Sequence, residues 1–125
     1  DSLLEGILHR ERRMSTNVGH GVAIPHFITD QVDDVVIAIG RSVCGIDFNL
    51  LPIHRPVHVV ILILSSPGKR EAYLRSLACI ARLFRNRKVM HDFLRVTSSE
   101  EAVSLLRKYE ALSELHRQLH IKPLI

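Results

Sequence analysis

Apolar residues recur at Leu3, Leu4, Ile7 and Leu8 ahead of the charged run HRERR, a spacing that predicts an amphipathic helix at the start of the chain. MSTNVGHG then gathers turn formers, and VAIPH reads as a short strand limited by Pro25, whose ring removes a backbone donor. DDVVIAIGRSV alternates and is rich in β-branched residues, which predicts a strand or a hairpin bent through Gly40. After the turn-rich CGIDFNLLPIHRP comes VHVVILIL, almost wholly apolar. Such a run predicts a central strand covered on both faces, so helices should flank the sheet.

The second half supplies those helices. SSPGKREAYLRSLACIARLF carries an apolar stripe at Leu74, Leu77, Ala78, Ala81 and Phe84, with Arg70, Arg75, Arg82 and Arg85 mostly outside it. NRKVMHDFLRV predicts a second, short helix. TSSEEAVSLLRKYEALSELHRQL predicts a third, with Ser98 and Glu101 in capping-box spacing and Leu105, Leu106, Tyr109, Leu112 and Leu115 as its apolar face. Strands first and helices afterwards predict an α/β fold, a three-layer sandwich in which a mixed β-sheet is flanked by helices.

The 125 residues fit one domain, and with no Trp and few aromatics the interior must be filled by Val, Ile and Leu. No apolar run approaches the roughly 20 residues that cross a bilayer, and DSLLEGILHRERR, acidic first and amphipathic later, does not fit an export leader. Cys44 and Cys79 lack metal-ligand spacing and read as two buried thiols in a reducing, cytoplasmic setting. The net charge of +4 is uneven: residues 1–64 hold five Lys or Arg against seven Asp or Glu, and residues 65–125 hold twelve against six. The basic half reads as a solvated helical face, or as a surface for nucleic acid or an acidic protein; RLFRNRK contains no nucleic-acid reading motif.

Four histidines, His20, His26, His54 and His58, cluster around the strands. Imidazole is both nucleophilic and proton-accepting near neutral pH. His26 follows Pro25 and His58 is second in the apolar strand, so both are expected near strand ends at the edge of a cleft. The alternative for each is a polar strand residue satisfied by a backbone partner. His20 and His54 fall in turn-like segments, and His9, His91, His116 and His120 on predicted helices. Arg55 and Pro56 break any helix between His54 and His58, which removes the facing pair a metal would need; no HExxH or CxxC occurs. Ser15, Ser42 and Ser65 stand outside a nucleophile elbow, and the glycines at 19 and 21 do not make a nucleotide-binding loop.

ILHRERRMSTNVGHGVAIPH, followed by GIDFNLLPIHRPVHVVILIL, closely resembles the enzyme IIA domain of the fructose, mannitol and nitrogen-regulatory branch of the bacterial phosphoenolpyruvate-dependent phosphotransferase system. The ordered pieces R-E, S-T, G-x-G-[IV]-A-I-P-H and P-V-H carry the likeness over most of the chain. The resemblance implies one phosphoryl-carrier domain over residues 1–125, without the family's N-terminal strand and helix. It implies that His26 is the phosphorylated residue, that His58 is its active-site partner, and that Arg10 lies near the phosphoryl group. Backbone N–H groups of the Gly19, His20 and Gly21 loop are expected as further donors. The scheme needs no metal and no cofactor. The implied donor is the histidine carrier protein, and the implied acceptor is an enzyme IIB domain or a regulated target. The alternative is an enzyme IIA-like regulatory binding module, without catalysis, that controls a transporter, kinase or transcription regulator.

Four positions depart from the family pattern. Phe27 follows the active histidine where a small residue is usual, which is expected to crowd the site or to change the docking face. His20 replaces an asparagine, Met14 a glycine, and Tyr73 a histidine at a helix start.

Overall fold

The computed structural model describes residues 2–13, 20–47, 56–113 and 121–123. Helix α1 (Ser2–Arg13) precedes two short strands, β1 (Val22–Ala23) and β2 (His26–Ile28), and then the longer strands β3 (Val36–Ile46) and β4 (Val57–Ser65). A 3-10 turn over Pro67–Lys69 leads into α2 (Arg70–Arg85), followed by α3 (Arg87–Phe93), α4 (Ser99–Ser113) and β5 (Ile121–Pro123).

The all-apolar run VHVVILIL is the central strand. β4 pairs with β3 on one side and with both β1 and β2 on the other, and β5 closes the far side of β3. β1 and β2 run parallel to β4, with Val22 opposite Val59 and His26 opposite Ile63; β3 runs antiparallel, so the sheet is mixed. β1 and β2 thus form one edge line interrupted at Ile24 and Pro25. β3 runs straight through Gly40, which pairs with Val60, and its irregularity lies later, between Arg41 and Ile46, where Gly45 takes a φ of 82°. A strand, not a hairpin bent at Gly40, is the outcome.

Side chains of β4 alternate between faces, and the alternation shows in their burial. Val57, Val59, Ile61 and Ile63 are fully buried, whereas His58, Val60 and Leu62 are half-buried. The buried face meets Ile80, Leu83 and Phe84 of α2, Val89 and Phe93 of α3, and Leu106 of α4. Arg41, paired with Val59, reaches from this face to the carbonyls of Phe93 and Val96 at the end of α3. The result is an α/β sandwich built on a mixed sheet.

Two helix expectations change in detail. The buried stripe of α2 is Tyr73, Ser76, Cys79, Ile80, Leu83 and Phe84, whereas Leu74 is 49% exposed and Ala78 is exposed. Leu77, Ala81 and Phe84 of the expected stripe pack on the core, but the docked face is turned toward Tyr73 and leaves Leu74 and Ala78 outside. At the start of α4, the Glu101 amide donates to Ser98 Oγ at 3.1 Å, as a capping box requires, but the Glu101 carboxylate accepts from the backbone and hydroxyl of Thr97 instead. Leu105, Leu106 and Tyr109 pack on the core; the side chains of Leu112 and Leu115 lie outside the described residues.

Residues paired across parallel strands share a face, so His26 points with Ile63 toward α2 and Phe27 points with Leu64 to the opposite side. Both nonetheless meet α1: Phe27 lies against Gly6, and Arg10, one helical turn later, reaches His26. A helix that touches both faces of an edge strand lies across its open edge.

Candidate functional site

His26 opens β2, and its ring is aimed by the edge position of that strand. The carbonyls of Gly21 and Pro25 accept hydrogen bonds from β4. By alternation the carbonyl of Ile24 faces the open edge, where no strand among the described residues takes it. His26 Nδ1 takes it instead, donating its proton to Ile24 O at 2.7 Å. A carbonyl can only accept, so this contact requires the proton on Nδ1 and leaves the lone pair on Nε2. Arg10 Nη2 lies 3.3 Å from Nε2 and can only donate, which agrees with that tautomer.

The ring of Tyr73, in the first turn of α2, sits with its centroid 6.1 Å from that of His26 and tilted by 49°. Tyr73 is 6% exposed. Burial pushes its hydroxyl above the usual phenol range, and the charges of Arg10 and Arg70 act in the opposite direction. The cluster is therefore a nucleophilic nitrogen, a neutral phenol and the cation of Arg10 from α1, with the charge of Arg70, at the start of α2, acting on Tyr73. Sequence reading noted Tyr73 only as a departure and missed Arg70. The available signal was spacing, because residues three apart on a helix are neighbours and Arg70 precedes Tyr73 by three.

His58 does not join this cluster. His26 is opposite Ile63, five positions further along β4, which at about 3.3 Å per residue separates the two histidines by roughly 16 Å. The odd offset also puts them on opposite faces. His58 Nδ1 donates to Ser42 O at 3.0 Å, and the ring packs against the turns at Gly21 and Gly45. Both glycines have positive φ, 78° and 82°, which a side chain would strain. His58 is the polar strand residue satisfied by a backbone partner.

Gly21 is also remote. Gly21 O accepts from the amides of His58 and Val59, at the far end of the edge line from His26. His20 is exposed, and Gly19 and His54 lie outside the described residues. Phe27, by contrast, leaves the site open, because alternation turns its ring away from the face His26 occupies. Cys79 is buried as expected, but Cys44 is exposed, since it lies on the irregular end of β3 beyond the packed sheet.

Residues 1–109 match the family described as Phosphoenolpyruvate-dependent sugar phosphotransferase system, EIIA 2. The chain is 31% identical over 106 residues to the PTS system fructose-specific EIIA component of Haloferax volcanii, covering 85% of this chain and 68% of that protein. It is 33% identical over 102 residues to a nitrogen regulatory protein of Bradyrhizobium diazoefficiens, covering 82% of this chain and 65% of that protein. A match to the fructose-specific EIIABC component of Bacillus subtilis, 31% identical, covers 85% of this chain but 16% of that much longer protein. The crystal structure of the nitrogen regulatory protein IIA-Ntr from Neisseria meningitidis superposes with a TM-score of 0.75 at 28% identity, covering 84% of this chain and 71% of that one. A match across so much of the sequence, on the fold that carries it, makes this chain a member of the EIIA type 2 family of the phosphoenolpyruvate-dependent sugar phosphotransferase system.

Proposed function

We propose that the chain carries a phosphoryl group on Nε2 of His26. The observation that carries this reading is the 2.7 Å bond from Nδ1 to Ile24 O, which leaves Nε2 as the nucleophile, beside an arginine at 3.3 Å. Nε2 attacks the phosphorus of a phosphohistidine on the donor. The new P–Nε2 bond forms as the donor's P–N bond breaks, and the donor imidazole leaves with that electron pair. The proton on Nδ1 stays where Ile24 holds it, so no general base is needed. Catalysis of such a loose transfer is chiefly positioning and charge stabilisation. Arg10 and Arg70 offset the added charge of about −2.

The donor in this reading is the histidine carrier protein. The acceptor is an enzyme IIB domain, or the phosphorylation state itself is the signal read by a regulated target, as the names of the nitrogen regulatory relatives favour. We place the reaction in the cytoplasm; among the described residues no helix is long and apolar enough to cross a membrane.

The test is incubation with phosphoenolpyruvate, enzyme I and the histidine carrier protein, followed by intact mass at neutral or alkaline pH. The expected result is one acid-labile phosphoryl group, absent in His26→Ala. No gain in mass with the wild-type chain overturns the carrier reading in favour of the regulatory binding module.

A further inference from the structure

The stripe of α2 that the sheet leaves uncovered has a direction. It starts at Leu74, beside Tyr73 at the candidate phosphoryl site, and continues through Ala78. It ends at a cleft of about 220 Å³ between α2 and the edge line, floored by Val22, Ile24, Ala81 and Phe84 and rimmed by His20 and Arg85. From Leu74 to Arg85 the helix rises about 16 Å. Arg82, one turn before Arg85, adds a second exposed cation. Among the described residues neither arginine has a carboxylate partner within an ion pair.

We infer that this stripe and its cleft are a docking surface for an acidic segment of a partner protein, which seats one bulky apolar side chain in the cleft with carboxylates against Arg82 and Arg85. The floor supplies what an apolar anchor needs, since interface energy concentrates where such a side chain fills a desolvated pocket. The rim supplies the sign of the partner: two guanidinium groups attract carboxylates and repel a basic surface. A nucleic acid fits less well. Its phosphates gain nothing from an apolar floor, and the cleft is lined by aliphatic side chains and one phenyl ring, short of the aromatic platform on which successive bases stack. The inference stands apart from phosphoryl transfer, as no group in the cleft takes part in it.

The test is a titration of the isotope-labelled 125-residue chain, followed by amide chemical shifts. Three probes are compared: a short peptide with one Phe flanked by Glu and Asp, the same peptide with Lys flanks, and an oligothymidylate of charge equal to the acidic peptide. The acidic peptide is expected to shift amides of residues 81–85 and 22–24. Its affinity falls about tenfold or more in Arg82→Glu/Arg85→Glu and also falls as salt is raised. His26→Ala retains the shifts, so failure of the carrier reading and failure of this one are read separately. Equal binding of the Lys-flanked peptide, tighter binding of the oligonucleotide, or shifts located elsewhere overturns the proposal. So does concentration-dependent self-association that buries these amides in place of the peptide.

Discussion

The ring of Phe27 occupies the space that a side chain on Gly6 would need: a β-carbon built there comes within 2.8 Å of Cζ and 3.1 Å of Cε2. Gly6 and Phe27 are thus a matched pair, the smallest residue of α1 against a large one on β2. Arg10 lies one turn beyond Gly6 on the same helix face, so the pair sets how closely Arg10 approaches His26. Gly6→Ala gains roughly 1 kcal/mol of helix propensity and loses about 1–3 kcal/mol to overpacking. The expected net result is a loss of about 1 kcal/mol in urea denaturation, recovered when Phe27→Leu is added. Phosphorylation slows in the single variant and recovers with the double one.

Arg10→Gln removes a charged donor from Nε2 without changing the tautomer, since Ile24 still holds the Nδ1 proton. A hydrogen bond to a charged group is worth about 1.5–3 kcal/mol, which corresponds to phosphorylation slower by about ten- to a hundredfold. The rate of mass gain measures it. An unchanged rate assigns Arg10 to packing alone.

His58→Ala separates the two histidines. Loss of the bond to Ser42 and of the packing on Gly21 and Gly45 destabilises the fold by about 1–3 kcal/mol. At a distance of about 16 Å the phosphorylation rate should stay within about twofold of wild type. A severe kinetic defect in a well-folded His58→Ala protein contradicts the placement of this ring.

Stability should fall at both pH extremes for identifiable reasons. Hydrogen bonds from Tyr109 and His91 hold Asp92 below its ordinary value of 3.8, and those from Thr97 hold Glu101 below 4.5. Groups with depressed folded values stabilise above the unfolded value and lose that contribution as pH falls through the lowered one. Thr97→Ala should return Glu101 toward its ordinary value in an NMR titration. At the alkaline end, Tyr73 is raised above its ordinary 10.0 chiefly by burial. Stability is then lost as pH climbs beyond about 10, and Tyr73→Phe removes that part of the loss.

The two thiols should differ in reactivity. Cys44 is exposed and Cys79 is 1% exposed. Under native conditions Ellman's reagent should modify one thiol quickly, identified as Cys44 by peptide mass, and reach the second only on unfolding.

The central strand was legible in the sequence because an apolar run such as VHVVILIL has few other uses, and the cap of α4 because Ser98 and Glu101 act locally. His26 was legible because Pro25 and its neighbours fix its place on a strand. Its partner was not. Choosing between His58 and Tyr73 requires the offset between two strands distant in sequence, and that offset is decided by the register of β2 on β4. The α2 stripe was legible only in part, for a related reason: Leu77, Ala81 and Phe84 pack on the core as expected, but Leu74 is more apolar than Tyr73, and the sheet still selects the face that brings Tyr73 to His26. Periodicity identifies a helix but not the phase in which it docks. Of the two expectations for Phe27, crowding of the site is not met, because its complement, Gly6, lies on another element.

The imidazole at the sheet margin has a second consequence, for colonisation of that margin by other chains. An open β-edge invites pairing with a stray strand, which is how many β-proteins aggregate. Here His26 occupies the outward carbonyl of Ile24, and α1 bars the approach. The residue proposed to carry the phosphoryl group also helps to keep the protein from polymerising.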